Sequence, residues 1–303
     1  VSMQPAPPPQ MIGPYRIVAR LGSGGMGEVF LATSPSRRAV AVKVIREELV
    51  DDPKWRAGFR REVTSARSVS GFYTAPVVDA DPDADRPWLA TQYIRGVSLA
   101  KAVQEKGPLP EQAACRLGAG LAEALMAIHD AGIVHRDLKP SNVLLASDGP
   151  RVIDFGIARP LGAVPLARTE IMGTPAYMSP EQALGEPMTP RSDVFALGST
   201  LVFAATGTAP FGTGRKVRGR IVHGVPDLSR LPDPMRGVVT RCLSKLPDDR
   251  PSPDQVLTAF STLLDAHYGV EWLPSGVEEL IGAHERTLPE VTAELPTLRE
   301  PSP

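Results

Sequence analysis

Two short segments restrict this chain more than any other feature: Ile133-Val134-His135-Arg136-Asp137-Leu138-Lys139-Pro140-Ser141-Asn142 and Ile153-Asp154-Phe155-Gly156. The residues between them alternate and then turn. Val143–Leu145 reads as one strand, Ser147-Asp148-Gly149 as a turn and Arg151–Ile153 as the returning strand. A hairpin of that kind brings Asp154 back beside Asn142 and Asp137. The fold must therefore gather two carboxylates, an amide and a lysine at one end of a short strand pair.

That set of groups points to phosphoryl transfer. Asp137 is placed to take a proton from a hydroxyl, Asn142 and Asp154 to offer oxygens to magnesium, and Lys139 to neutralise a phosphoryl group in flight. Such chemistry asks for positioning and charge stabilisation more than for covalent catalysis. Two upstream features agree. The glycines of Leu21-Gly22-Ser23-Gly24-Gly25-Met26-Gly27-Glu28-Val29 allow backbone amides to approach phosphate oxygens, although a glycine-rich hairpin alone is weak evidence. Lys43 ends the apolar run Ala39-Val40-Ala41-Val42, where a cation is costly unless paired.

Taken in order, these residues resemble the eukaryotic-like protein kinase family over about residues 12–265. Gly173-Thr174-Pro175 and Ser179-Pro180-Glu181 match the end of its activation segment, Asp193–Gly198 its buried central helix, and Arg250 the arginine that pairs with Glu181. The resemblance implies an α+β, bilobal fold. A β-rich N-lobe with one helix would span about residues 12–92 and a mostly helical C-lobe about 97–265. It implies transfer of the γ-phosphoryl of ATP to serine or threonine of proteins, autophosphorylation included, with magnesium and with manganese as a substitute. Lys43, Glu62, Asp137, Lys139 and Asn142 would be catalytic, with Glu62 holding Lys43, and Asn142 and Asp154 would hold the metal. The nucleotide would meet Leu21, Gly22, Ser23, Gly24, Gly25, Met26, Gly27, Val29, Ala41, Lys43, Thr91, Gln92, Tyr93, Ile94, Leu144 and Asp154, with Thr91 as gatekeeper and Gln92–Gly96 as hinge.

Lys139 and Thr174 resemble the serine/threonine branch. Arg136 would pair with phosphorylated Thr169, the hydroxyl residue between Gly156 and Gly173. Thr174 would bond Asp137 or Lys139. Ser70–Asp81, Pro87–Thr91 and Trp272-Leu273-Pro274 resemble actinobacterial Hanks-type kinases, in particular the AfsK-like group, which implies a bacterial signalling regulator. Gly212–Gly224 departs from the family, being short, basic and broken by glycine. The run Arg215, Lys216, Arg218 and Arg220 within it reads as a solvated face or a docking surface for an acidic partner or a second kinase molecule. Two rival readings are a catalytically silent nucleotide-binding pseudokinase scaffold and a small-molecule kinase of related fold. The complete catalytic set argues against the first, and the Gly173–Glu181 segment against the second.

Composition removes other classes. A net charge of −1 over 303 residues gives no case for nucleic acid or a membrane surface. No apolar run reaches the roughly 18 residues of a membrane span. Cys115 and Cys242 sit in apolar helical patterns, as reduced core thiols would, which fits a cytoplasmic chain, whether or not a longer protein associates with a membrane. Residues 1–11 are proline-rich and expected to be disordered. Helical periodicity is expected over Pro53–Val69, Glu111–His129, Ser192–Thr206, Met235–Leu243 and Pro253–Leu264. Residues 266–303 form a Pro/Thr/Glu-rich tail in which Val277–Ile281 is a candidate docked helix.

Overall fold

The structure, a computed structural model, describes residues 11–24, 27–50, 52–154, 175–265 and 272–287. Gly25, Met26, Thr169, Thr174 and residues 1–10 lie outside the described residues, and the disorder expected of residues 1–11 fails at Met11, which pairs with Arg16 at the edge of the sheet.

Among the described residues the N-terminal part is a six-stranded antiparallel sheet. Its strands are β1 (Met11–Ile12), β2 (Tyr15–Gly24), β3 (Gly27–Thr33), β4 (Ala39–Ile45), β5 (Val77–Asp81) and β6 (Trp88–Gln92), in the order β1-β2-β3-β4-β6-β5. Strand β4 shows the logic of the sheet. Val40, Val42 and Val44 pack with Tyr15, Ile17, Trp88 and Ala90, while Ala41 and Lys43 alternate onto the other face. Gly27 is obligatory, because a Cβ there would stand 2.0 Å from the Val44 carbonyl oxygen. The turn α1 (Glu47–Val50) precedes helix α2 (Pro53–Ser68). Trp55, Phe59, Val63 and Ala66 form the buried stripe of α2, and the Trp55 and Phe59 rings stack at 5.2 Å.

The loop after β6 leads through β7 (Val97–Ser98) into helices α3 (Leu99–Lys106) and α4 (Glu111–Asp130). Strand β7 pairs with β8 (Val143–Ala146), and β8 pairs with β9 (Gly149–Val152). Next come α5 (Pro180–Leu184), α6 (Pro190–Thr206), α7 (Val217–His223), α8 (Asp233–Cys242), α9 (Pro253–Asp265) and α10 (Ser275–Thr287). Helix α6 is buried nearly all round and forms the axis of this part. It begins at Pro190, two residues ahead of the apolar pattern, because Thr189 and Ser192 form a capping box in front of it. At Gly198 it runs so close to α8 that a Cβ would stand 2.8 Å from Cys242 Cβ. Cys115 and Cys242 are free, buried thiols, pushed up by burial to about 11 and about 12 respectively.

Two expectations for surface segments change. Helix α7 exists despite its glycine, and Arg220 is not part of a free basic face. Its guanidinium donates to the carbonyls of Phe211 (2.6 Å) and Thr213 (2.8 Å), closing the preceding loop. Helix α10 is longer than Val277–Ile281 and packs against α3 and β7.

A buried ion pair ties these helices together. Arg250 and Glu181 form a bidentate pair at 2.7 and 2.8 Å, and Arg250 also donates to the carbonyls of Ser244, Arg191 and Lys245. Ser192 donates to Glu181 at 2.6 Å. Burial works against the charge of Glu181, but the bonds from Arg250 and Ser192 outweigh it and hold the carboxyl at about 2, below its ordinary 4.5. Arg250→Met strands that carboxylate and is expected to cost about 3–5 kcal/mol in urea unfolding at neutral pH. Because the folded pKa is depressed, the advantage of wild type over the double variant E181Q/R250M is complete above about pH 4.5. It falls away as pH drops toward about 2, which unfolding titrations across that window will read.

Candidate active site

The β8–β9 hairpin delivers what its sequence implies. A two-residue turn joins strands in register from Val143↔Val152 to Ala146↔Gly149. Beyond the paired strands Ile153 N–H donates to the Asn142 carbonyl at 3.0 Å, so Asn142 and Asp154 flank the open end of the ladder. Asn142, itself buried, donates its side-chain amide to the Asp137 carbonyl (2.8 Å) and to Asp137 Oδ2 (3.3 Å). Lys139 Nζ reaches the same Oδ2 at 2.8 Å. Asp137, Lys139 and Asn142 are thus one hydrogen-bonded unit, with side chains of Asp137 and Lys139 26 % and 18 % exposed.

Its backbone is held from below. Asp193, in the first turn of α6, accepts from His135 N–H on Oδ2 and from Arg136 N–H on Oδ1, each at 2.8 Å. His129, in the last turn of α4, meets Asp193 Oδ2 at 2.8 Å. His135 is fully buried and its pKa is lowered, burial outweighing the attraction of Asp193 and Asp137. Arg136 and Asp154 adopt left-handed backbone at φ 66° and 59°, a strained conformation for side chains of this kind.

The pairing of charges differs from the sequence expectation. Lys43 Nζ bonds Asp154 Oδ1 at 3.0 Å, and Glu62 is instead 3.1 Å from Arg136 Nη1. Both Glu62 and Arg136 side chains are nearly buried, at 12 % and 11 % exposure. A half-dry cleft forces each charge onto an opposite neighbour, and two acids facing two bases permit more than one pairing. Here α2 presents Glu62 to the catalytic loop, and β4 presents Lys43 to the end of β9. The expected Lys43–Glu62 pair is therefore replaced, and Arg136 has Glu62 as its anionic partner. Burial disfavours the Asp154 carboxylate, yet Lys43, His135 and Lys139 together lower its pKa.

Across the cleft, Lys43 is in register with Val29, and Ala41 with Thr91. Leu21, Gly22, Ser23 and Gly24 end β2, and Arg46 clamps the Gly24 carbonyl at 3.1 Å. Gln92 closes β6, and Tyr93 and Ile94 follow in the half-buried link to β7, with Leu144 beside it on β8. The described part of the expected nucleotide set thus falls on β2, β3, β4, β6, the link to β7 and the β8–β9 hairpin, and Lys43 of β4 meets Asp154 at the end of that hairpin.

Residues 15–260 match the protein kinase domain. The chain belongs to the protein kinase family. It is 52 % identical to a probable serine/threonine-protein kinase, PkwA, of Thermomonospora curvata, over 93 % of this chain and 38 % of that protein. It is 49 % identical to the serine/threonine-protein kinase AfsK of Streptomyces coelicolor, over 93 % of this chain and 37 % of that protein. The chain therefore spans well under half the length of these relatives. Among solved structures, the kinase domain of PknI from Mycobacterium tuberculosis superposes with a TM-score of 0.69 at 26 % identity, covering 86 % of this chain and 99 % of that one. The family's two-part fold, a curled sheet above a helical body, is the one described above.

In this kinase domain the sequence reading missed Asp193 and His129 as supports of the catalytic loop. A trace was present: an aspartate opening a helix that is otherwise apolar needs buried donors, but nothing local named them. Asp193→Ala leaves two backbone N–H groups without their acceptor. It is expected to cost about 3 kcal/mol or more and to speed amide hydrogen exchange at His135 and Arg136 well beyond the exchange in α9.

Proposed function

We propose that this chain is a serine/threonine protein kinase that moves the γ-phosphoryl group of ATP to a protein hydroxyl. The observation that carries the reading is the Asp137–Lys139–Asn142 unit, set opposite Lys43 and Asp154 on the hairpin end. Asp137 Oδ2 accepts the proton of an incoming serine or threonine hydroxyl as the oxygen attacks. Lys139, already 2.8 Å from that carboxylate, follows the charge onto the phosphoryl oxygens. Lys43 would reach the α- and β-phosphates, and backbone amides at the facing ends of β2 and β3 would offer donors to them.

Asn142 and Asp154 fit a hard divalent cation, magnesium or manganese. One offers an amide oxygen while its nitrogen is engaged with Asp137, and the other offers a carboxylate kept ionised by its neighbours. Among the described residues no cluster of three or more acidic, histidine or cysteine side chains forms a complete protein cage. Two oxygen ligands, with phosphate and water completing the shell, are what a metal shared with a nucleotide requires. Such an ion, when bound, neutralises charge on the phosphates.

Catalysis requires the present charge pairs to exchange. Lys43 must leave Asp154 for the phosphates, and Glu62 must leave Arg136 to hold Lys43. Arg136 is then open to a phosphate on Thr169, a modification another copy of the chain would supply. Thr174 would hydrogen-bond the Asp137–Lys139 pair from the end of the activation segment. The substrate is a protein presenting serine or threonine, and the setting is bacterial signalling. Among the described residues no helix is long and apolar enough to cross a membrane, which suits a kinase domain working in the cytoplasm.

The test is transfer of labelled phosphate from ATP to a generic basic protein. Asp137→Asn is expected to lower kcat by about 10²–10⁴-fold while nucleotide binding persists. Lys43→Met is expected to abolish transfer without lowering Tm substantially. Near wild-type rates in both variants would refute the assignment. A separate comparison addresses the pair exchange: Thr169→Ala is expected to slow transfer, and Arg136→Ala to erase any difference between phosphorylated and unphosphorylated chains.

A further inference from the structure

Residues Trp272–Thr287 lie beyond the 15–260 stretch that matches the family, yet they are built into the core. Trp272, Leu273, Val277 and Ile281 are all at least nine-tenths buried. The indole N–H of Trp272 is shared between the carbonyls of Ala146 (2.9 Å) and Ser147 (3.0 Å), at the turn of the β8–β9 hairpin. Helix α10 then runs across α3 and β7. At Gly276 a Cβ would stand only 3.5 Å from Lys106 Cδ.

These contacts fall on the pieces that frame the adenine end of the cleft. Strand β7 pairs with β8 through Val97↔Leu145 and Ser98↔Leu144. Gly96, where the hinge meets β7, lies flush on β8, since a Cβ there would be 2.5 Å from the Leu145 carbonyl oxygen. Tyr93 in the hinge is pushed up to about 12, by burial first and then by the negative charge of Glu285 on α10. The hinge is a short irregular link between β6 and β7 with no ladder of its own, so its geometry depends on what packs behind it.

We propose that Trp272–Thr287 is a hinge brace that sets nucleotide affinity: docked, it pre-organises the Gln92–Gly96 backbone and Leu144 for adenine, and undocked, it loosens both. The inference rests on the nucleotide site assigned above. Binding is weakened whenever a receptor must first order its own loop. The brace is also suited to reversible release. A helix of 13 residues is marginal in isolation, so its folding and its docking occur together. Among the described residues its buried side chains are Val277 and Ile281, with Trp272 and Leu273 at the entry and Leu280 partly buried beside them. The polar face carries Glu278, Glu279 and Arg286.

The experiment uses the full 303-residue chain and a non-hydrolysable ATP analogue with magnesium, titrated calorimetrically. The double variant V277D/I281D undocks the helix and is expected to raise Kd about five-fold or more, with faster amide exchange across residues 92–96. Trp272→Phe keeps an aromatic ring, though a smaller one, and removes the indole donor, so a smaller rise of the same direction is expected from a chain that remains folded. Val256→Ala, a cavity in α9 away from the hinge, is expected to lower Tm and leave Kd unchanged. An unchanged Kd in both tail variants, with Tm lowered as in Val256→Ala, would overturn the brace and leave α10 a stability element only. Failure of the wild-type chain to bind the analogue would overturn the nucleotide site, and the brace with it.

Discussion

The loop proposed to carry catalysis, residues 135–142, is positioned by one buried carboxylate. Asp193 is 1 % exposed at the start of the most deeply buried helix, an arrangement that would be costly for an unpartnered ion. It is tolerable because three donors converge on it: His135 N–H, Arg136 N–H and the His129 ring. The first turn of α6 also favours a negative charge through the helix dipole. The consequence is mechanical. The rigidity of the helical core passes into two consecutive peptide groups, and Asp137 follows them in the chain. Arg136 is held in left-handed backbone by the same contacts, so the strain at this position is balanced by packing below it.

Above the loop, control lies with charges that have a choice of partner. Lys43 and Asp154 are separated by 111 positions and Glu62 and Arg136 by 74, so each pair joins distant parts of the chain. Lys43 and Asp154 are 17 % and 36 % exposed and the Arg136 and Glu62 side chains 11 % and 12 %, so solvent screens the first pair more than the second. The second pair joins helix α2 to the loop that carries Asp137. The Glu181–Arg250 pair is of a different kind. Its donors and acceptors are all engaged and its arginine side chain is wholly buried, so it has no alternative partner to exchange with. One set of ion pairs in this molecule fixes the helical body, and the other joins the sheet and α2 to the hairpin end and the loop that carries Asp137.

The C-terminal brace extends the same division of labour to the hinge. The β8–β9 hairpin holds Asn142 and Asp154 at one end and is gripped by Trp272 at the other. Strand β7 carries the hinge into that hairpin, and α10 lies behind it. The proposed nucleotide and catalytic halves of the site thus share one small three-stranded sheet as a common support.

Local pattern was enough for the sequence to determine much of this. The β8–β9 hairpin follows from alternation and a turn, α4 from its apolar stripe, and the cleft-facing placement of Lys43 from a single charge in the run Ala39–Ile45. The order of these features, together with Glu181 and Arg250, implied the family and the site. Partner choice was not local. Glu62, Asp154 and Asp137 were all available to lysines of the cleft, and only the meeting of β4, α2 and the catalytic loop selected among them. The same holds for Asp193 beneath the loop, for Arg220 turned back onto its own loop, and for Trp272 reaching across 126 positions to Ala146. Periodicity reports which face of an element is apolar. Which ion meets which, and what a helix end or a tail residue touches, is decided only when separate elements pack, because those contacts depend on distances that the linear order of residues does not encode.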